Sequence, residues 1–412
     1  MSPVMLLSAN EGESRPMRLQ FALKLVCLNL SLLVSGVILL ELGAYIYYMA
    51  RVAISGSGDK IAAWVDAIPT DAYPDRAWLM TGFRESFEAL GGTQWAPYVA
   101  WREKPFSGRY VNLDGNGLRR TWNTPATQPV EIYVFGGSTM WGTGARDDYT
   151  IPSALSKMLA QVFPSRVRVT NFGQGGYVNT QEMILLFREL QRGSRPDILI
   201  FYDGYNDTFA AFQNRAAGMP QNENKRIQEF NILNRSRTRD FFWEVLKRSN
   251  LHNLMEGVHT KLFGTKPLPP LSPEMQNQLV VGVLKNYSMN KTIVEAVAEK
   301  MGFLPVFYWQ PTPYTRTNRN DFEESWLKDP AQEHFFDDVY AAVRRSPLET
   351  NGSFHDISDI FQGYVGTLYI DYAHITERGN EIIARRMFQD VRPLVAREIA
   401  RRQSQAGGLI QR

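Results

Sequence analysis

The chain has 412 residues, enough for one large domain with insertions or for two modest ones. Its hydrophobic, aromatic and charged fractions (44%, 12% and 21%) are those of a globular protein with a buried core. The net charge of +3 is spread along the chain without a dense Lys/Arg block, so nucleic-acid binding has no support; the lone Cys27 excludes an intramolecular disulfide framework and a cysteine metal cluster.

The first element is a membrane signal. After Arg15, Arg18 and Lys24, residues 25–50 are almost entirely apolar, and this run exceeds the roughly 20 residues a bilayer-spanning helix needs. A cleaved signal peptide would have a shorter apolar core followed by a small-residue cleavage site, which is not found here. The expectation is a cytoplasmic tail over 1–24 and a retained transmembrane helix over 25–50, in contact with the lipid bilayer. The basic residues ahead of the span place everything from Arg51 onward in the periplasm or outside the cell. Glu41 inside the span is costly in lipid; it is read as lying near the interface with Tyr45, Tyr47 and Tyr48, the alternative being that it faces a partner helix.

Residues 51–128 form a mixed extracytoplasmic segment in which Gly108–Arg119 reads as a hairpin around an Asp-Gly turn. From Val130 the pattern alternates. Short apolar runs at 131–135, 167–171, 197–202 and 304–309 read as strands, and the stretches near 151–163, 181–191 and 286–301 read as helices. This predicts an α/β domain over 129–395, a three-layer α/β/α sandwich around a parallel sheet. The alternation lapses over about 211–289, which reads as a helical or lid-like insertion containing the Pro-rich run 266–273. A last helix runs from about Glu377 to Arg401, with 396–412 ending as a tail.

Four polar or Gly-rich turns punctuate this domain. Gly136-Gly-Ser-Thr-Met-Trp-Gly142 follows the first α/β strand and presents Ser138 on a tight turn, a geometry that suits a nucleophile or equally a phosphate-binding loop. Asn171-Phe-Gly-Gln-Gly-Gly-Tyr177 and Asp203-Gly-Tyr-Asn-Asp207 follow the next strands and read singly as plain turns. Asp371-Tyr-Ala-His374 precedes the last helix; it is either a capping Asp beside a surface His or a base with its orienting carboxylate. None of the five histidines has the spacing of an H-E-x-x-H zinc site. Together the turns hold a nucleophile, backbone donors, a side-chain amide and an Asp/His pair, the inventory for acyl transfer.

In order and spacing these four segments resemble the conserved blocks of the SGNH/GDSL hydrolases. The resemblance implies Ser138, Asp371 and His374 as the catalytic triad. It implies an oxyanion hole formed by the backbone N–H groups of Ser138 and Gly176 and the amide of Asn206, with neither cofactor nor metal. Gly137 departs from the family pattern, standing where the name-giving motif has Asp. Trp141, Tyr177, Asp203, Tyr205 and Gln310 are candidate substrate-binding residues, with core packing the alternative for the aromatics.

The expected function is a membrane-anchored serine esterase removing small acyl groups, O-acetyl above all, from an exported carbohydrate. Alternatives are a polysaccharide O-acetyltransferase using the same triad, a lysophospholipase or thioesterase, and a non-catalytic glycan-binding or assembly protein.

Overall fold

A computed structural model describes residues 14–54, 60–234, 247, 249–263, 270–349 and 352–410. The first part of the N-terminal tail, the middle of the 211–289 stretch and the beginning of the Pro-rich run lie outside the described residues. The chain divides into two compact units, one drawn from 1–59 and 229–268, the other from 60–228 and 269–412.

In the first unit, helix α1 (Ser14–Ile54) contains a stretch, Gln20–Ala50, long and apolar enough to cross a membrane. Its leucines and valines point outward: Leu23, Leu32, Leu33 and Leu39 are each more than 60% exposed, so they have no protein core to pack into. Glu41 has partners within this unit. Its carboxylate accepts hydrogen bonds from Asn250 N (2.7 Å), Asn250 Nδ2 (2.7 Å) and Leu251 N (2.9 Å), at the start of the helix Asn250–Phe263. Those amide N–H groups lack intrahelical acceptors, and an anion there satisfies both hydrogen bonding and the helix dipole. Glu41 thus faces the start of another helix of its own unit, the contact that the alternative reading expected.

The second unit opens with helices α2 (Lys60–Ala67) and α3 (Leu79–Gly91) and two short hairpins. The first hairpin pairs β1 (Thr93–Ala96) with β2 (Ala100–Glu103). The second pairs β3 (Phe106–Ser107) with β4 (Asn112–Leu113), and the expected Asp-Gly turn follows it as a bridge between Leu113 and Arg119.

The central sheet consists of β5 (Val130–Gly136), β6 (Val167–Asn171), β7 (Ile198–Asp203), β8 (Leu304–Trp309) and β9 (Phe354–Asp356). All pairings are parallel, and the spatial order is β6-β5-β7-β8-β9. Side chains alternate between the two faces with the two-residue period of a strand. Ile132, Val134, Ile198, Ile200, Val306 and Tyr308 pack on one side against α5 (Ile151–Val162) and α12 (Glu377–Ile410). Phe135, Leu199, Phe201, Phe307 and Trp309 pack on the other against α6 (Asn179–Gln191), α7 (Tyr205–Asn214), α10 (Pro273–Met301) and α11 (Pro330–Arg344). This is a three-layer α/β/α sandwich. Between α7 and α10 in the chain come α8 (Glu223–Asn234) and α9 (Asn250–Phe263). On the second face four rings stack across neighbouring strands, Phe172, Phe135, Phe201 and Phe307, each 5.1 Å from the next. Burying each contributes roughly 1.5–3 kcal/mol.

In a sheet covered on both faces, ligands reach only the strand ends, and the crevice opens at the carboxyl ends where the strand order reverses. Here that point lies at β5, flanked by β6 and β7.

Candidate active site

Three of the four turns leave the carboxyl ends of β5, β6 and β7. After β5 the chain enters the single-turn helix α4 (Ser138–Trp141), which Gly142 ends at φ +102°. A Cβ there would lie 2.4 Å from Thr150 Cγ2, so both the backbone angle and the space call for glycine. The loop Gly142–Arg146 is clamped from outside the sheet. Arg119 donates to Gly142 O (2.8 Å), Ala145 O (2.7 Å) and Asp147 Oδ1 (3.0 Å), and Tyr73 donates to Gly144 O (2.6 Å).

His374 Nε2 lies 2.7 Å from Ser138 Oγ, and His374 Nδ1 lies 2.7 Å from Asp371 Oδ2. Asp371 Oδ1 accepts the backbone N–H groups of Ala373 (2.8 Å) and His374 (2.7 Å), so one carboxylate shapes its own turn and orients the ring. Burial pushes the Asp371 carboxyl up, but the His374 imidazole and these N–H donors outweigh it and hold it below the usual range. An ionised Asp371 fixes the proton on Nδ1 and leaves Nε2 to accept from the Ser138 hydroxyl. The segment leading into this turn rests on a buried ion pair. Arg316 donates to Glu323 (2.5 Å), whose Oε1 also accepts Leu368 N (2.8 Å) and Tyr369 N (3.0 Å).

Asn206 is held at both ends of its amide. Nδ2 donates to Tyr177 O (2.7 Å), and Oδ1 accepts from Gln221 Nε2 (3.0 Å). This leaves the second Nδ2 hydrogen for another acceptor. A Cβ on Gly137 would come within 2.0 Å of that nitrogen. A side chain at position 137 would therefore have to displace the Asn206 amide.

Gly176, at φ +73°, lines the cleft beside Ser138 and His374. Its turn is bolted to β2: Gly175 N donates to Glu103 Oε1 (2.6 Å), and Trp101 Nε1 donates to Gly175 O (2.8 Å). Glu103 is completely buried, and burial pushes its carboxyl from 4.5 up to about 7, against the pull of the Gly175 N–H and of Arg102.

The five residues expected to contact substrate are placed otherwise. Trp141, Tyr177, Asp203, Tyr205 and Gln310 are all buried and absent from the cleft lining. Trp141 lies under the Arg119 guanidinium, 4.2 Å from its ring centroid. Tyr177 donates its hydroxyl to Trp101 O. Tyr205 packs against Phe336 and Tyr372. Asp203 accepts from Asn179 Nδ2 (2.9 Å), and burial together with Asp207 pushes its carboxyl well up. Gln310 donates its backbone N–H to Asp203 O (2.7 Å) at the end of the β7–β8 pair. Aromatics on strand-end turns fold back into the covered layers, where they gain more from burial than from facing water. A cleft of about 550 Å³ is lined instead by Trp95, Trp101, Glu103, Gln221, Asn222 and Arg226 around the Ser138–His374 pair. Sequence reasoning missed Glu103, Arg119 and Gln221, whose partners at the site are distant in sequence. No group of His, Cys, Asp and Glu among the described residues has the geometry to hold a metal ion.

No protein-family model matches the sequence, and no curated protein does. Among solved structures the chain is similar to the acetyl xylan esterase AlAXEase, at 14% identity over 64% of this chain and 100% of that one, with a TM-score of 0.35. It is also similar to a lipolytic protein of the G-D-S-L family from Desulfitobacterium hafniense DCB-2, at 10% identity over 63% of this chain and 99% of the other, TM-score 0.32. A catalytic mutant of Axe2, an acetylxylan esterase from Geobacillus stearothermophilus, matches at 12% identity over 66% and 96% of the two chains, TM-score 0.35.

Two outcomes follow from the geometry. Gly137→Ala pushes Asn206 aside and lowers kcat on an aryl acetate by about 10²–10³-fold, the typical cost of one lost oxyanion donor, with the circular dichroism spectrum unchanged. Glu103 binds its proton more tightly folded than unfolded, so its contribution to stability is full below about pH 4.5 and is lost as pH rises through about 7. Glu103→Gln makes the fall in thermal midpoint between those pH values shallower; an unaltered slope would show that Glu103 does not titrate there.

Proposed function

We propose that this chain is a membrane-anchored serine esterase that removes small acyl groups, O-acetyl above all, from an exported carbohydrate. The observation that carries the reading is the unbroken relay from Ser138 Oγ through His374 to Asp371, with 2.7 Å at each step. The hydroxyl of Ser138 attacks the ester carbonyl as His374 Nε2 takes its proton, and Asp371 stabilises the imidazolium that results. The tetrahedral oxyanion is held by the backbone N–H groups of Ser138 and Gly176 and the free hydrogen of Asn206 Nδ2. His374 returns the proton to the leaving alcohol. A water molecule, deprotonated in turn by His374, then attacks the acyl-serine, and His374 returns that proton to Ser138 Oγ as the carboxylic acid leaves.

The anchor rests on Gln20–Ala50, whose 31 helical residues extend about 46 Å at 1.5 Å each, against a hydrocarbon core about 30 Å thick. Arg15, Arg18 and Lys24 favour a cytoplasmic N-terminus and a periplasmic or extracellular active site.

The purified protein hydrolyses a short-chain aryl acetate and is labelled by a fluorophosphonate, and Ser138→Ala abolishes both. Wild-type turnover in that variant would remove Ser138 as nucleophile. Acetylated glycan as the main product, when an acceptor glycan and a donor ester are supplied together, would make the enzyme a transferase instead. A periplasm-active reporter fused after Arg412 is active in cells; activity of only a cytoplasmic reporter would reverse the orientation.

A further inference from the structure

The hairpin β1–β2 lies outside the α/β sandwich, yet it forms one wall of the cleft. Its register places Thr93 opposite Glu103 and Trp95 opposite Trp101. With side chains alternating along each strand, these four share one face of the hairpin, and all four line the cleft that holds Ser138 and His374. The two members of the tryptophan pair have different circumstances. Trp101 is half-buried, donates Nε1 to Gly175 O and lies under the Arg226 guanidinium, 4.8 Å from its ring centroid. Trp95 is 72% exposed. A large apolar ring left open to solvent beside a nucleophile forgoes burial energy unless a ligand covers it.

The rest of the cleft lining points to the kind of ligand. Gln221, Asn222 and Arg226 are all polar; Gln221 spends one amide hydrogen on Asn206, and Arg226, stacked on Trp101, donates to Glu223 Oε2 (2.7 Å) and to Gln221 O. An acyl chain or a second aromatic ring filling the cleft would strip water from these groups and offer nothing in return, at about 1–3 kcal/mol for each group left unsatisfied. A pyranose ring suits this lining, because its axial C–H face can lie flat on an indole while its equatorial hydroxyls can meet amide and guanidinium donors. Such mixed lining, with a few polar groups around an apolar surface, is how oriented binding of small ligands is achieved.

We propose that Trp95, with Gln221, Asn222 and Arg226 in the same cleft, forms a sugar-ring subsite that positions an O-acylated glycan for Ser138. The subsite rests on the esterase reading for its catalytic meaning, but its binding can be measured without turnover.

Two measurements on the full chain in detergent separate the two ideas. First, Ser138→Ala protein is titrated calorimetrically with O-acetylated xylotetraose as the probe; binding is expected, and Trp95→Ala in the same background weakens it roughly tenfold, equivalent to about 1.4 kcal/mol. Second, in the active protein Trp95→Ala lowers kcat/KM on that tetrasaccharide roughly tenfold more than on an aryl acetate, mainly through KM, and Trp95→Tyr restores most of the difference. Absence of binding to the Ser138→Ala protein overturns the subsite, even if aryl acetate is hydrolysed. Equal losses on both substrates would make Trp95 structural and also overturn it. A loss confined to long-chain aryl esters would identify an acyl-chain wall instead. Failure of the wild type to hydrolyse any ester while the tetrasaccharide still binds would leave the subsite standing and sink the esterase.

Discussion

A parallel sheet buried on both faces has only its ends to offer, and this constraint organises the molecule. The stacked rings of Phe172, Phe135, Phe201 and Phe307 seal one face, and the aliphatic side chains of the same strands seal the other. With both faces closed, Ser138, Gly176 and Asn206 emerge at neighbouring carboxyl ends. Only Asp371 and His374 arrive from elsewhere, carried by the turn ahead of α12. The chemistry is assembled where the packing stops.

Turns at strand ends are the parts of such a fold least restrained by the ladder, so their shape must be set from outside. In this chain the residues ahead of the sandwich do much of that work. Arg119 and Tyr73 tie down the loop after Ser138, and Glu103 and Trp101 hold the turn bearing Gly176. Asp71 accepts Thr367 N (2.7 Å), and the Arg316–Glu323 pair captures two further N–H groups of the same segment ahead of His374. A buried ion pair gains little net energy, because desolvation offsets most of the attraction. Its use here is to fix backbone donors that would otherwise be unpaired.

How much of this was legible follows from distance along the chain. The strands β5, β7 and β8 are largely apolar runs and β6 alternates as Val167-Arg-Val-Thr-Asn171, and both patterns are local signals. Asp371 and His374 are three residues apart and could be paired by eye. β9 is only three residues long, and α11 sits behind a polar stretch, so neither announces itself in the pattern. Glu103, Arg119 and Gln221 gain their meaning from contacts 72, 23 and 15 residues away, which no window of sequence displays. The candidate substrate aromatics failed for a related reason. Proximity in sequence to a site residue says little about which way a side chain turns, and Trp141, three residues after Ser138, turns inward. The cleft aromatic, Trp95, lies in a segment whose sequence shows no periodicity to flag it.

The two strands of the cleft hairpin differ in what they can change. β2 is joined to the turn bearing Gly176 through Trp101 and Glu103, and Tyr177 returns a hydrogen bond to Trp101 O. Substitution of Trp101 or Glu103 removes a hydrogen bond that holds this turn. β1 instead presents Trp95 to the cleft that also holds Ser138 and His374. The lining can therefore change on β1 without altering the contacts that shape the Gly176 turn, while a change at Trp101 or Glu103 alters both. One hairpin thus pairs a strand that only lines the cleft with a strand that also sets its shape.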